Sequence, residues 1–414
     1  MANVTVALPN AEGSNQARSM QSSRTFIWTA QGSGLVLLTF MSFFPALFHL
    51  EEYLFFALLA VALWVGWWEK RVIWTRSPID VPLLLLVGWV LLTVPFATDP
   101  WYSFAEWRKL VVQVLVFYWA LLVLRVRSDG SLTRGVLVAV VIATAALCAY
   151  GVVDFWGRGG SWKDRDVRAF APSSDSNWLS TYLVIAIPLV ASIVIILRAW
   201  WQRLTSGVVL AMALVAQFFT YNRAGWLALV AQGITYGLYT GRRRFAIWVL
   251  GGCMAIGLGL VLASQVGYQS STVDPYSLNL RFALWKPGIT AIAEHPLVGL
   301  GYGDYTFTAM PRGFTEYDRP VGLHNTFLIV AVGSGIPALV FLLWTLLAIV
   351  RASLRQWRTS ADQWWDQAVT IGLVMMVVGF TVRNFFAYMF AGSLAYLFWI
   401  LVATGLAVNT RADK

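Results

Sequence analysis

Long apolar runs, separated by short polar segments, recur along nearly the whole chain. A helix needs about 20 mostly apolar residues to cross the hydrocarbon core of a bilayer. We interpret about twelve runs as membrane-spanning helices, although several are short enough to form a merged or re-entrant pair. Their predicted bounds are 26–49, 53–68, 81–97, 110–124, 135–155, 179–197, 207–221, 226–240, 246–266, 323–350, 367–382 and 389–408. The pattern predicts an all-α polytopic membrane protein.

Two of the polar segments, 156–178 and 267–322, are long. Long loops are uncommon in compact proteins unless they have a function. Within the second loop, bulky apolar residues spaced along 280–292 predict a short helix on the membrane surface, broken near Pro287. That helix is either a lid over a membrane-level cavity or a helix that merely rests on the interface. The alternation over 98–109 predicts another interfacial helix.

The composition supports this class, because 58% of the 414 residues are hydrophobic and only 12% are charged. Soluble domains carry about 25% charged residues. The net charge of +10 could indicate a nucleic-acid partner. However, the basic residues form clusters between apolar runs, such as Arg242–Arg244, and not one stripe or face. The sequence therefore predicts membrane lipid, and no nucleic acid, around the chain.

The distribution of Lys and Arg predicts the orientation, because cytoplasmic segments are enriched in them. With the N-terminus in the cytoplasm, the cytoplasmic segments have about twice the Lys and Arg density of the outward ones. Residues 1–25 are then a disordered cytoplasmic tail, 26–408 one transmembrane domain, and 409–414 a second cytoplasmic tail. The loops 156–178 and 267–322 face outward.

Of the three histidines, His324 has the most favourable position for chemistry. It stands at the start of an outward-facing run, where the helix dipole disfavours imidazolium and leaves a neutral ring that can accept a proton. The alternative is a capping histidine that binds water. His295 is interpreted as a turn residue, with direct chemistry as its alternative, and His49 as an interfacial residue.

Three arginines, Arg168, Arg223 and Arg281, lie in outward segments together with His324. Arginine suits phosphate because its planar guanidinium donates two parallel hydrogen bonds. The three residues therefore predict a cavity for a phosphate-bearing lipid. The alternatives are snorkelling for Arg223, which lies in a tight hairpin, and simple solvation for Arg168 and Arg281.

Two further segments could bind small ligands. The glycine-rich segment 299–304 could hold an anion on successive backbone N–H groups, or it is a flexible turn. Asp164-Arg165-Asp166 resembles the paired acids of metal-dependent glycosyltransferases, a triplet that also arises easily by chance. No Cys or His cluster indicates a zinc or iron site, and no phosphate-binding P-loop implies ATP. The sequence predicts neither a metal nor a cofactor.

Several short motifs follow one another along the chain. In order, they are Arg168-Ala169-Phe170 with Ser176-Asn177, Asn222-Arg223-Ala224-Gly225-Trp226, Arg281 and Trp285, His295-Pro296-Leu297-Val298-Gly299-Leu300-Gly301, and His324-Asn325-Thr326-Phe327-Leu328. This ordered set resembles the O-antigen ligase and polymerase superfamily, whose late outward loop ends in His-Asn just before a span. Ser176 departs from the family pattern, because proline is common before the asparagine.

The resemblance implies an inverting, metal-independent glycosyltransferase of the membrane-embedded C type. Its donor would be O-antigen polysaccharide on undecaprenyl pyrophosphate, and its acceptor a sugar hydroxyl of lipid A–core. The site would face the periplasm from the bacterial inner membrane. His324 would be the base, and the arginines would neutralise the pyrophosphate. The candidate substrate-binding residues are Trp285, Asn325, Tyr302 and Asp304.

Other functions remain open from the sequence. An O-antigen polymerase would use the same donor with another polymer chain as acceptor, and a protein O-oligosaccharyltransferase would share the loop motif. A transporter or flippase of lipid-linked sugar would carry out no chemistry. Transporters usually show internal repeats and ionisable residues near the bilayer centre. Here the charges cluster at the outer ends of the runs, which favours an enzyme.

Overall fold

The computed structural model describes residues 11–69, 75–127, 130–161, 167–172, 175–252, 254, 275–310, 320–359 and 364–408. Over those residues the chain is helical with no extended sheet. The one β feature recorded there is an isolated bridge between Ala309 and Val321. The predicted all-α class is confirmed.

The helices follow the apolar runs of the sequence. Their bounds are α1 Ala11–Met41, α2 Phe48–Trp68, α3 Asp80–Thr93, α4 Pro100–Val126, α5 Ser131–Gly157, α6 Ser176–Ile196, α7 Trp200–Phe219, α8 Arg223–Tyr239, α9 Pro275–Glu294, α10 Thr326–Thr359, α11 Trp364–Asn384 and α12 Gly392–Ala407. Two 3₁₀ turns, Pro45–Leu47 and Val94–Phe96, precede α2 and follow α3. Another helical stretch begins at residue 243.

Among the described residues, seven helical segments are long and apolar enough to cross a membrane. They are Pro45–Trp68, Pro100–Val126, Ser131–Gly157, Ser176–Ile196, Trp200–Phe219, Thr326–Arg358 and Trp365–Asn384. Three shorter apolar segments, Thr25–Met41, Asp80–Phe96 and Gly392–Ala407, add to them. The chain is a multi-pass membrane protein. The predicted number of about twelve spans stays a prediction, and most of the predicted span 246–266 lies outside the described residues.

In the N-terminal half of the chain, two segments have a structure that differs from the one expected from the sequence. The α1 helix begins at Ala11, so residues 11–25 are helical and not a disordered tail. Residues 98–109 form no separate surface helix, because α4 runs unbroken from Pro100. The Asp99 side chain accepts a hydrogen bond from the Tyr102 N–H at 3.0 Å and caps this helix. Pro100 then starts it, as proline often does at the first helical position.

The predicted break near Pro287 is also wrong, because α9 is continuous from Pro275 to Glu294. Proline removes one backbone donor and costs about 3 kcal/mol inside a helix. Here the helix is packed against other residues both before and after Pro287. Leu284 is fully buried before it, and Ala291 after it joins a cluster with Leu323. Helix packing against neighbouring residues can outweigh the proline penalty.

The centre of the bundle is α6, which packs against α11 and α7, while α11 also packs against α8. Small residues let these helices approach closely, as is common in membrane helix packing. A Cβ on Gly372 of α11 would press against the Ser192 hydroxyl of α6, and one on Gly379 would overlap Gln232 of α8. Close contact of these three helices fixes the relative positions of their ends.

The two ends of the bundle can be told apart by the helices that meet there. At one end, which we call the His324 end, the C-terminus of α11 contacts the N-terminus of α6 through Arg383 and Asn177. At the opposite end, the starts of α5 and α11 meet through Arg134 and Trp365. The Arg125 side chain at the end of α4 donates to the Arg76 carbonyl before α3. The candidate site residues lie at the His324 end.

Candidate active site

Two helix N-termini meet beside Asn177. Asp175 caps α6 by accepting hydrogen bonds from the backbone N–H groups of Asn177 and Trp178, at 2.8 and 3.0 Å. Asn222 caps α8 by accepting from the Gly225 N–H at 3.0 Å. Its amide group donates to the Asn177 side-chain oxygen at 2.7 Å. The capping residue of α8 is therefore bonded to the first turn of α6, and the positive ends of both helix dipoles lie at this point.

Close packing explains why the Asn-Arg-Ala-Gly motif ends in a glycine, Gly225. A Cβ on Gly225 would overlap both the Ser180 hydroxyl and the Gln217 amide. These two side chains already hydrogen-bond to each other at 2.9 Å in the buried interface. The absent side chain therefore allows α8 to start directly against α6 and α7, which places Arg223 beside Asn177.

A buried arginine missed by the sequence analysis joins this group. Arg383, at the end of α11, is only 1% exposed. Its guanidinium donates to the Asn177 side-chain oxygen at 3.1 Å and to the Asn177 carbonyl at 3.3 Å. Its Nε is buried without a hydrogen-bond partner among the described atoms. The available signal was an arginine that ends an apolar run, because charge at that depth is costly unless it binds something.

Arg281 extends from α9 towards the same cluster. Loss of hydration, and then the positive charge of Arg223, lower the pKa of Arg281. The group still carries its charge, since arginine is not deprotonated in proteins. Its guanidinium lies over the Phe386 ring at 5.3 Å, and Arg383 also experiences its charge. The structure thus brings Arg281 within electrostatic range of both Arg223 and Arg383.

Arg168 lies nearby along the backbone. The Ala169 N–H donates to the Phe219 carbonyl at 2.9 Å, which holds this segment against the end of α7. The hairpin after α7 carries Arg223. The Arg168 side chain is exposed, and its carbonyl accepts a hydrogen bond from Arg158. No contact of the Arg168 guanidinium with the other arginines is recorded, so its place in the same cavity stays a prediction.

His324 occupies the loop between α9 and α10. It does not start the helix as expected, because α10 begins at Thr326. The helix is capped by Asn325, whose side-chain oxygen accepts hydrogen bonds from the N–H groups of Phe327 and Leu328 at 3.0 and 3.1 Å. Asn325 is buried, so the structure gives it a capping role. Its predicted contact with substrate stays a prediction.

The His324 backbone has a φ of 49°, a conformation that residues other than glycine seldom adopt. Neighbouring contacts hold it there. The Trp285 indole N–H donates to the Leu323 carbonyl at 3.0 Å, and Gly288 leaves room for the Leu323 side chain. Strained backbone of this kind often lies at functional sites. Because Trp285 bonds to the residue next to His324, we interpret Trp285 as the residue that positions the His324 loop.

The surroundings of the His324 ring favour its neutral form. Desolvation, followed by the positive charge of Arg281, lowers the pKa of His324, while Asp175 opposes this change. The expected direction is therefore right, but its main causes are desolvation and the nearby arginine. A neutral imidazole beside clustered arginines can accept a proton at neutral pH.

Tyr302 and Asp304 form a second group, next to the start of α4. Desolvation, with the charge of Glu106, raises the pKa of Asp304 to about 6. Tyr302 is buried and hydrogen-bonds to Tyr388. A Cβ on Gly322 would approach the Asp304 carboxylate to 3.1 Å, so this group borders the loop that carries His324. The predicted substrate contacts of Tyr302 and Asp304 stay predictions.

In the glycine-rich segment, the first three backbone N–H groups are already used inside the protein. The N–H groups of Gly299, Leu300 and Gly301 donate to the carbonyls of His295, Val332 and Gly333, at 3.1, 2.8 and 2.8 Å respectively. The last two carbonyls lie just before a kink at Ser334–Gly335, where α10 leaves helical geometry. The segment therefore satisfies backbone groups that the kink exposes. His295 is exposed and forms part of this turn.

No metal site emerges from the described residues, in which no three His, Cys, Asp or Glu side chains cluster. The pair Asp164 and Asp166 lies outside the described residues. The independence from metal that the sequence predicts therefore stays a prediction.

The fold and the clustered charges define a multi-pass membrane protein with a polar site at one end of its helix bundle. Residues 208–343 match the family model described as O-antigen ligase. The match runs from α7 into α10 and includes Arg223, Arg281 and His324. It supports the O-antigen ligase superfamily that the motifs predicted. Members of this family are glycosyltransferase-like enzymes that act on lipid-linked polysaccharides. No curated protein matches the chain.

Proposed function

We propose that the protein is an O-antigen ligase, which transfers O-antigen polysaccharide from undecaprenyl pyrophosphate to a sugar hydroxyl of lipid A–core. The reaction would take place at the periplasmic face of the bacterial inner membrane. The observation that carries the proposal is the gathering of Arg223, Arg281 and Arg383 near His324 at one end of the helix bundle, in a membrane protein that matches this family model.

The arginine cluster supports a donor with concentrated negative charge. Guanidinium groups gathered at one end of the bundle attract a ligand that carries several negative charges. A pyrophosphate carries that charge and accepts the paired hydrogen bonds that guanidinium donates. The N-termini of α6 and α8 add two favourable dipole ends at the same place. Arg168, at the edge of the site, would complete the group.

The reaction needs a base on the acceptor side. In our proposal the acceptor hydroxyl attacks the anomeric carbon of the donor, and its proton passes to the neutral ring of His324. The bond from that carbon to the phosphate oxygen breaks, and undecaprenyl pyrophosphate leaves with the electron pair. The arginines stabilise the negative charge that develops on the leaving group. Attack opposite the leaving group inverts the anomeric configuration.

The direct test uses the purified full-length protein with lipid-linked O-antigen and lipid A–core, without added metal or ATP. A joined product, resolved on a gel, is the expected result. His324→Ala is the matched inactive control, and Arg244→Ala, an exposed arginine away from the cluster, should stay active. Longer lipid-linked chains without joined product would instead indicate an O-antigen polymerase, and movement of donor across vesicles without new bonds would indicate a flippase.

The same assay with the metal chelator EDTA tests whether the mechanism is independent of metal. Ligation should be unchanged in EDTA, because arginines take the place of a divalent cation in this proposal. Loss of ligation in EDTA, restored by magnesium or manganese, would contradict it. Asp164→Asn and Asp166→Asn would then become the variants to examine.

A further inference from the structure

An apolar cavity of about 900 Å³ lies at the opposite end of the bundle from His324. The first turns of α5 and α7 and the last turn of α6 form its walls. Along α6, Asn177 of the candidate site and Ile196 of the cavity lie about 28 Å apart, given a rise of about 1.5 Å per residue. The cavity is therefore separated from the arginine cluster by nearly the full thickness of a bilayer.

The cavity opens towards the surroundings of the bundle. Val138 and Ile142, one helical turn apart on α5, line it and are each 55% exposed. Its inner wall includes Leu137, Ile193 and Ile196, which are buried in a separate small apolar cluster. An apolar cavity that is open sideways at membrane depth favours a hydrocarbon chain over water.

The rim of the cavity is basic and aromatic. Arg134, Arg198, Trp201 and Trp365 line it, and no acidic residue appears among its described lining residues. The Arg134 guanidinium lies over the Trp365 ring at 5.6 Å. Stacking uses the face of the guanidinium, so its N–H groups at the edge can still donate to a ligand. Tryptophan and arginine at this depth are typical of the level of the lipid headgroups.

We propose that this cavity binds an anionic phospholipid of the membrane leaflet opposite the active site, with its phosphate at Arg134 and Arg198. An acyl chain lies along Val138 and Ile142. Charge complementarity selects the headgroup, because basic pockets between membrane helices bind anionic lipids. The lipid joins the starts of α5 and α7 to the end of α6, so it stabilises the fold and takes no part in the transfer reaction.

Native mass spectrometry of the full-length protein, with dioleoylphosphatidylglycerol and dioleoylphosphatidylcholine in turn, tests the proposal. The wild type should retain one phosphatidylglycerol molecule in preference to phosphatidylcholine. Arg134→Gln with Arg198→Gln should weaken that binding by about tenfold or more, because both charged donors to the phosphate are lost. Arg242→Gln with Arg243→Gln removes the same charge from exposed positions that do not line the cavity, and should retain the lipid.

A second variant separates the cavity from simple surface charge. Val138→Trp fills the cavity from its exposed side and keeps both arginines, and it should also lose the bound lipid. Equal retention of the two lipids by the wild type would contradict the proposal, as would undiminished binding in the double arginine variant. Binding that falls in the arginine variants and persists in Val138→Trp would also overturn it, because the headgroup would then bind without the cavity.

Discussion

The Arg383 guanidinium donates a hydrogen bond to the Asn177 side-chain oxygen at 3.1 Å, and Asn222 donates to that same oxygen at 2.7 Å. One amide oxygen therefore ties the end of α11 to the starts of α6 and α8. A carbonyl oxygen has two lone pairs, so both are used. Arg383 is consequently fixed in position before any ligand arrives, which is how a preorganised charge stabilises a transition state most effectively.

The first prediction concerns this arginine. Arg383→Lys keeps the charge but loses the forked donor geometry, and Arg383→Gln loses the charge as well. We expect transfer to fall by about 10²- to 10³-fold in Arg383→Gln, the usual cost of removing one preorganised donor. Initial rates of ligation by purified variants measure this fall, and size-exclusion chromatography verifies that each variant is folded.

The control is Arg244→Gln, which removes an exposed arginine. A folded Arg383→Gln variant with wild-type rates would show that Arg383 only supports the structure. A fall in Arg383→Gln that Arg383→Lys fully restores would indicate a role for charge alone, without the paired geometry.

A second prediction tests why Gly225 follows Arg223 in its motif. Gly225→Ala would push a methyl group against Ser180 and Gln217, both of which are buried. Overpacking of this kind costs about 1–3 kcal/mol, so we expect a lower thermal midpoint in detergent. Gly207→Ala, in neighbouring α7 where a Cβ meets nothing within 4 Å, should be neutral or stabilising. Equal midpoints for the two variants would contradict the packing argument.

The sequence predicted the helices more completely than it predicted the arrangement of the candidate site. Apolar periodicity and length locate membrane helices well, because the bilayer imposes both. The roles of Asn325 and the segment 299–301 were harder to predict, since each depends on which backbone groups another segment leaves unpaired. Arg383 was missed because its significance arises from its distance to Asn177, which no local pattern encodes.

A third prediction addresses the His324 loop through Trp285. Trp285→Phe keeps an aromatic ring on α9 but loses the donor to the Leu323 carbonyl. A hydrogen bond of this kind contributes about 1 kcal/mol, so we expect a several-fold fall in kcat with KM for the donor largely kept. Ile289→Leu, an exposed residue on the same helix, should be close to wild type. A large rise in donor KM in Trp285→Phe would instead support direct contact with substrate.

The last prediction is that His324 is the general base. His324→Ala should insert and fold, because His324 belongs to none of the buried apolar clusters of the described residues, and its rate should fall by about 10²- to 10⁴-fold. Since the pKa of His324 is lowered below 6.5, wild-type kcat/KM should rise with pH through that lowered value and be flat at neutral pH. Arg281→Gln removes a positive charge that contributes to this lowering, so the acid limb of its residual activity should move to higher pH.

Asp304 is the competing base, because its pKa of about 6 would give an acid limb in a similar range. The two assignments separate by substitution. Asp304→Asn should keep the acid limb and most of the rate if His324 accepts the proton, since the neutral ring still titrates. If Asp304→Asn abolished transfer while His324→Ala kept it, the proton would pass to the carboxylate. Loss of donor binding in His324→Ala would instead make the histidine a phosphate ligand, acting together with Arg281.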